Sequence, residues 1–465
     1  MRCIGISNKK EFKDFINFYF KNIGPKSKLK YEEKDIYSFE DEIYYGEAYF
    51  NGGFELKRRF LDNISKYKGK INYSSSSRLF GYICKFIYNR IKSRVKNIDN
   101  TLEIYLKDDD ISAGLLEIEN KLKQSYGVYR IYLVTNLIYL KNFNTLQFGN
   151  VKISRVDEHS INWFSEKIEY PFTSSLMRLL AIDKTLSREE FLKEYKDNVI
   201  LEAKIKGYHI NNEVSDVFKK ALFEYRQVFS YLIMCKRLLV QCKSDEDVLE
   251  IKKIDQYNEI KSSIQICYIG KENNLKQLKF VDIEFEKFRL PEKQFIVNKE
   301  ALQLIEEKCY LNNFNNISRD TKYGDMREKI RRSMDWFLKA NIEKDITDEV
   351  ISLFISLETL LSTGPDPLSS QTDDFAENIV MITCSGENFR YEEKKYFKKE
   401  IYGLRNQIMH RGYSVNLDTD LEKISRLEIY VIYSIRAILR RINEIIKYGK
   451  DSNALKEYFE RKKLK

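Results

Sequence analysis

The run VISLFISLETLLS at 350–362 carries one charge, Glu358, and is apolar nearly all the way round a helix. Such a helix has no face to offer water, so it belongs in the middle of a bundle. Asp345-Ile346-Thr347-Asp348-Glu349 opens it. Thr347 is the expected N-cap, two acids follow in the first turn, and Ile346 and Ile351 sit at staple positions. Gly364-Pro365-Asp366-Pro367 closes it as a loop. The surroundings agree, because after Asp320 every periodic segment is helical. MREKIRRSMDWFLKAN precedes it, and a short helix near DFAENIVMIT follows. Phe397, Ile401, Leu404 and Ile408 then form one stripe at helical spacing. Leu421, Ile424, Val431, Ile435, Ile438, Ile442 and Ile445 run down a long closing helix. Four or five helices with short loops make an antiparallel bundle.

The chain before Asp320 reads differently. FKDFINFYFKNI, GYICKFIYNRIKSRV and the long run EVSDVFKKALFEYRQVFSYLIMCKRLLVQC have helical spacing. IYYGEAYF, YRIYLVTNLIYL, LQFGNVKISRV, NVILEAKIKGY and SSIQICYIG read as strands, and KFVDIEFEKFRLP alternates as a strand until Pro291. Asn51-Gly52-Gly53 is a hairpin turn by composition, and Ser74 to Ser77 a short loop. The expected architecture is an α+β N-terminal part followed by an all-α bundle. Its divisions are 1–144, 145–320 (or one unit with the first) and 321–465.

Composition sets the outer limits. Of 465 residues, 43% are hydrophobic and 32% charged, enough apolar surface to exclude intrinsic disorder. No run reaches the roughly 18 apolar residues of a membrane span. The start, MRCIGISNKKEFKDF, lacks the apolar region of a secretory signal, so a cytoplasmic protein without membrane attachment is expected. The seven cysteines are scattered, with no C-x-x-C, which disfavours structural zinc and a disulfide framework alike. Neither a P-loop nor a G-x-G-x-x-G occurs, and no cofactor or metal is expected. The net charge of +10 and the 14% aromatic content permit a surface that binds phosphates and stacks bases.

One nonamer carries chemistry. LRNQIMHRG, at 404–412, places Arg405, Asn406 and His410 in an R-N-x3-H pattern, and Gly412 is a natural helix stop. His410 therefore lies in the last turn, where the helix dipole favours a cation. At 100° per residue, Arg405 and His410 are about 140° apart around the axis. A site built from both needs either a helix end that bends or a second copy of the chain. The set suits metal-free RNA cleavage. Histidine removes the proton of the attacking 2′-OH, arginine holds charge on the phosphate, and asparagine binds phosphate or orients the imidazole. DNA, lacking the 2′-OH, would resist.

The order of elements from about Tyr323 to Tyr448 resembles the HEPN domain, specifically its Apea-like branch. The features that carry the likeness are RRSMDWFLKA, ISLFISLETLLS with its Pro/Gly loop, a short helix, LRNQIMHRG and a long closing helix. The resemblance implies a HEPN-type bundle acting as a homodimer that brings two motifs into one cleft. It assigns Arg405 and His410 as catalytic, Asn406 as assisting and Glu358 as a supporting polar position. It also implies a bacterial or archaeal ribonuclease in antiviral defence or a toxin role. The region around LQFGNVKISRVDEHS is faintly similar to the front halves of Apea-like proteins. That part would sense a phage-derived or nucleic-acid trigger, position RNA or hold the nuclease inactive. Some HEPN toxins carry a tyrosine two residues after the histidine. Here Gly412 stands there and Tyr413 comes one place late, which argues against control through that tyrosine. The alternative expectation is a non-catalytic HEPN module for dimerisation or RNA binding.

Other residues compete for attention. Arg411, Lys398 and Lys399 are the expected RNA contacts, with Lys394, Lys395, Arg436, Arg440 and Arg441 as further cations if they line the cleft. Glu202 and Lys204, with Asp197 upstream, resemble part of a metal-dependent nuclease motif. A solvated strand face explains them equally well. His159 and His209 have no ligand-spaced partners and read as surface or packing residues.

Overall fold

The computed structural model describes residues 95–98, 101–104, 108–156, 198–209, 216–241, 249–253, 266–272, 274–281, 293–362, 371–450 and 453–463. FKDFINFYFKNI, IYYGEAYF, Asn51-Gly52-Gly53, Ser74–Ser77, most of GYICKFIYNRIKSRV, the Gly364–Pro367 loop, His159 and Asp197 lie outside them. The chain forms two compact units, Met1–Tyr129 with Ile205–Lys219 and Lys271–Asn273, and Arg130–Lys204 with Lys220–Gly270 and Asn274–Lys465.

The described part of the smaller unit holds the antiparallel pair β1 (Val95–Ile98) and β2 (Thr101–Ile104), followed by α1 (Asp108–Ser125). The hydroxyl of Tyr129 donates to the Ser125 carbonyl at 2.6 Å. His209 packs its ring edge-on against Tyr129 at 5.4 Å, the packing role expected of it.

The larger unit holds all or part of β3 (Tyr126–Thr135), β4 (Ile138–Leu140), β5 (Thr145–Phe148), β6 (Val151–Arg155), β7 (Val199–Tyr208), β8 (Leu249–Lys253), β9 (Ile266–Lys271), β10 (Asn274–Val281) and β11 (Lys293–Val297), with Tyr126–Tyr129, Ile205–Tyr208 and Lys271 falling to the smaller one. One sheet runs in the order β10-β9-β3-β7-β6-β5, and a second in the order β4-β11-β8. β5, β6 and β7 are antiparallel neighbours. LQFGNVKISRV is thus two strands and a turn rather than one strand. Gly149 makes the turn at φ +54, a conformation that costs glycine little. A Cβ there would come within 2.8 Å of the Ser318 hydroxyl. The Gly149 N–H donates to Asn315 at 2.6 Å, and Arg319 donates to the Gly149 carbonyl at 3.0 Å.

α2 (Asp216–Gln241) is buried along most of its length because it is covered on two sides. Tyr225 donates to the Ile131 carbonyl on β3 at 2.8 Å. On its other flank lies α5 (Gly324–Ile342), reached through a buried Arg331–Glu224 pair at 2.7 Å and a Ser230 bond to the Met334 carbonyl at 2.6 Å. α3 (Lys299–Cys309) and α4 (Leu311–Arg319) lead from β11 to α5.

The helical end matches the expected class. α6 (Ile346–Leu361) pairs with α5 across a crossing where Ser333 and Ser356 bond at 3.0 Å; these small side chains let the backbones approach closely. Val350, Leu353, Phe354, Leu357, Leu360 and Leu361 are all buried, against α5, α7 (Gln371–Thr383), α9 (Tyr402–Arg411) and α10 (Leu417–Ile445). Its N-cap is Asp345, which accepts from the Thr347 and Asp348 N–H groups. Thr347 lies inside the helix, and Ile346, as its first residue, is not at a staple position. Along α10 the expected stripe is buried except at Leu421, which is 58% exposed. There Asp420 takes the inward place and Leu421 falls one residue further round. α11 (Asn453–Lys463) is an additional helix that buries Ala454, Leu455, Tyr458 and Phe459. No described helix is long and apolar enough to cross a membrane.

Candidate active site

The nonamer lies on the second half of one continuous helix. α8 (Glu387–Tyr396) passes through a π turn at Phe397–Ile401 into α9, with right-handed backbone at both joints. The Tyr402 N–H reaches back to the Phe397 carbonyl, five residues away, so one residue is added to that turn. Phe397, Ile401, Leu404 and Ile408 are all buried, as their spacing predicts. Gly412 ends the helix in the left-handed conformation, φ 64 and ψ 29, and its N–H closes on the Gln407 carbonyl.

Behind the stop, residues 412–416 are tied down at two points. The Val415 N–H donates to Thr347 at 3.2 Å. Asp420, itself buried, accepts from the Tyr413 hydroxyl at 3.0 Å, the Asn416 N–H at 3.2 Å and the Lys423 ammonium at 3.2 Å. Burial pushes the Asp420 carboxyl upward, but these three donors outweigh it and leave the group below its ordinary range. Tyr413 is thus a structural partner of α10.

Arg405 points to the flank of α9 that meets α6. Its side chain is 19% exposed, its Nη2 lies 3.4 Å from Glu358 Oε1, and its guanidinium sits 5.4 Å from the centre of the Tyr402 ring. Burial raises the Glu358 carboxyl above its usual value, and Arg405 pulls it part of the way back. Asn406, His410 and Arg411 are exposed. The structure therefore joins Arg405 to Glu358 and leaves His410 pointing to solvent. α9 continues as an α-helix through Arg411, so no bend between the two motif residues brings them together. Met409, on the arc between them, is 53% exposed, and Leu417 and Leu421 just beyond the loop are 52% and 58% exposed.

The remaining cations divide. Lys398 is engaged by Asp373 at 2.5 Å, and Lys394 bonds Asp373 at 2.8 Å and Glu377 at 3.4 Å. The two lysines hold the Asp373 carboxyl down to about 2. The Lys399 side chain is 77% exposed, and among the described residues its one ion pair is with Glu400, at 3.6 Å. Arg436 donates to the Lys308 carbonyl and Arg441 to that of Ile382, while Arg440 is exposed. On β7, Glu202 is paired with Arg130 at 2.7 Å. Among the described residues no cluster of His, Cys, Asp and Glu could hold a metal ion.

Two features of the site escaped the sequence reading. The π turn has no signature, because a 4-3-4 apolar spacing fits it and an α-helix equally. Tyr402 beneath Arg405 was detectable, since residues three apart on a helix are neighbours. The chain matches no family model, no curated protein and no solved structure.

Proposed function

We propose that this chain is a metal-independent endoribonuclease of HEPN type that works as a homodimer, in a defence or toxin role against invading phage. The observation that carries the reading is the split disposition of the motif. Arg405 is held on one flank by Glu358 while His410 projects into solvent from the last turn of an unbroken helix. Two copies related by a twofold axis would each supply what the other lacks at one cleft. The exposed Met409, Leu417 and Leu421 are an apolar surface on which a second copy can close.

In such a cleft His410 takes the proton from the 2′-OH as the 2′-oxygen bonds to phosphorus and the bond to the 5′-oxygen breaks. The equivalent imidazolium of the second copy protonates the departing 5′-oxygen. Arg405 holds the charge that accumulates on the phosphate, with Asn406 as an added donor. The products are a 2′,3′-cyclic phosphate and a 5′-hydroxyl. The test is cleavage of labelled RNA in EDTA by the wild type and His410→Ala, with matched DNA alongside. RNA-only cutting that survives EDTA and is lost in the variant is expected. Cutting that needs Mg²⁺ and ignores His410 overturns the reading.

A second reading, a non-catalytic module for dimerisation or RNA binding, is favoured by the Arg405–Glu358 pair, which already engages the phosphate-binding group. Intact dimers that bind RNA without cutting it would select that reading.

A further inference from the structure

The helix that carries the motif begins well before it, and α8 buries none of its own side chains. Tyr391 is 68% exposed, Lys395 is exposed with no ion pair among the described residues, and Lys399 is 77% exposed. On a regular α-helix Tyr391 and His410, nineteen residues apart, would stand about 100° apart. The π turn adds one residue between them and so turns α9 back by about 100°. The added residue brings His410 into line with Tyr391, and with that residue spread over the turn Lys395 and Lys399 each stand about 40° from the line, so that the four share one face.

Gly403 lies on that face between Lys399 and His410. A glycine inside a helix costs about 1 kcal/mol relative to alanine, and nothing lies within 4 Å of where its Cβ would be. No packing among the described residues calls for it, and the bare position leaves room for an outside backbone to approach closely. The neighbouring lysines make the contrast plain, since Lys394 and Lys398 flank the row on its α7 side and are neutralised there by Asp373. Acids flank the row without occupying it. Glu400 is shared between Lys399 and Lys423, and Glu392 is exposed to one side.

We infer that this face is a track for single-stranded RNA, leading from Tyr391 past Lys395, Lys399 and Gly403 to His410. The inference rests on the ribonuclease reading for its destination, but its evidence is the row itself. The lysines contact phosphates, the open Gly403 admits the sugar-phosphate backbone, and Tyr391 stacks a base, which a duplex does not offer. At 1.5 Å per residue the row is about 28 Å long, room for about eight nucleotides stacked at 3.4 Å.

The test is fluorescence anisotropy of a labelled twelve-nucleotide single strand with the full chain carrying His410→Ala, so that nothing is cut. Into that parent go Tyr391→Ala, the double change Lys395→Glu/Lys399→Glu, Gly403→Leu, and Lys394→Ala as the control. The double change is expected to weaken binding more than tenfold and flatten its salt dependence. Tyr391→Ala should weaken it about tenfold, and Gly403→Leu should do so with no fall in melting temperature and no change of oligomer in sedimentation. Lys394→Ala should bind as the parent does. Equal binding by all variants, equal affinity for a duplex, or no binding by the parent overturns the track. Cleavage by the unmodified chain with all variants binding normally sinks the track alone. Loss of binding in the variants of a chain that never cuts RNA keeps the track and removes the nuclease.

Discussion

Arg405 and Glu358 are the residues on which the candidate site turns, and their pairing has a pH signature. Burial raises the Glu358 carboxyl, so the folded state holds its proton more tightly than the unfolded state does. A raised carboxyl favours folding most below its unfolded value near 4.5, and the benefit is lost as pH rises through the folded value. Glu358→Gln removes this titration. As pH rises from below the ordinary carboxylate value, the melting temperature of the wild type should therefore fall relative to that of the variant, and parallel curves would refute the assignment. Glu358 was legible as the one charge in an apolar run, and its tie to Arg405 was not, because the two lie 47 residues apart in sequence. Asp345 and Thr347 teach a similar lesson. Both are good capping residues, and backbone geometry chose the earlier one. Leu421 looked like core because it stands three residues before Ile424 at helical spacing, yet the inward place is filled by Asp420, which the loop after His410 needs.

Among the elements, α6 was the most legible, since an all-round apolar run has one stable setting. What its sequence did not announce is the closeness of α5, which depends on Ser333 and Ser356 meeting at 3.0 Å. Ser356→Leu forces extra bulk into that crossing and should cost about 1–3 kcal/mol, read as a lower urea midpoint at unchanged slope. A midpoint equal to that of the wild type would show that the helices can spread there. The π turn marks the limit of pattern reading. Phe397, Ile401, Leu404 and Ile408 are buried as the stripe predicts, yet the stripe is silent about the rotation that the added residue gives to the surface residues on either side.

At the scale of the molecule, α2 decides how the larger unit coheres. Its helical character was plain from spacing, but its partners lie far off in sequence, Ile131 on the sheet 94 residues before Tyr225, and Arg331 and Met334 on α5 107 and 104 residues after Glu224 and Ser230. Arg331 and Glu224 are 8% and 9% exposed, so neither is solvated if the other is taken away. Arg331→Ala leaves Glu224 buried without its countercharge, and the expected loss is about 3–5 kcal/mol. Chemical denaturation followed by tryptophan fluorescence and circular dichroism would measure it, and a loss under about 1 kcal/mol would mean that water reaches the pair. A fragment cut at residue 321 would carry α5 away from α2 and present the face holding Arg331 and Met334 to water. The heritable piece is therefore larger than the helical end of the chain. If evolution moved this bundle between proteins, a lineage that inherited α5 to α11 alone would have had to rewrite the surface of α5. One that kept α2 would have inherited a finished interior and a fixed mounting for whatever sheet came with it.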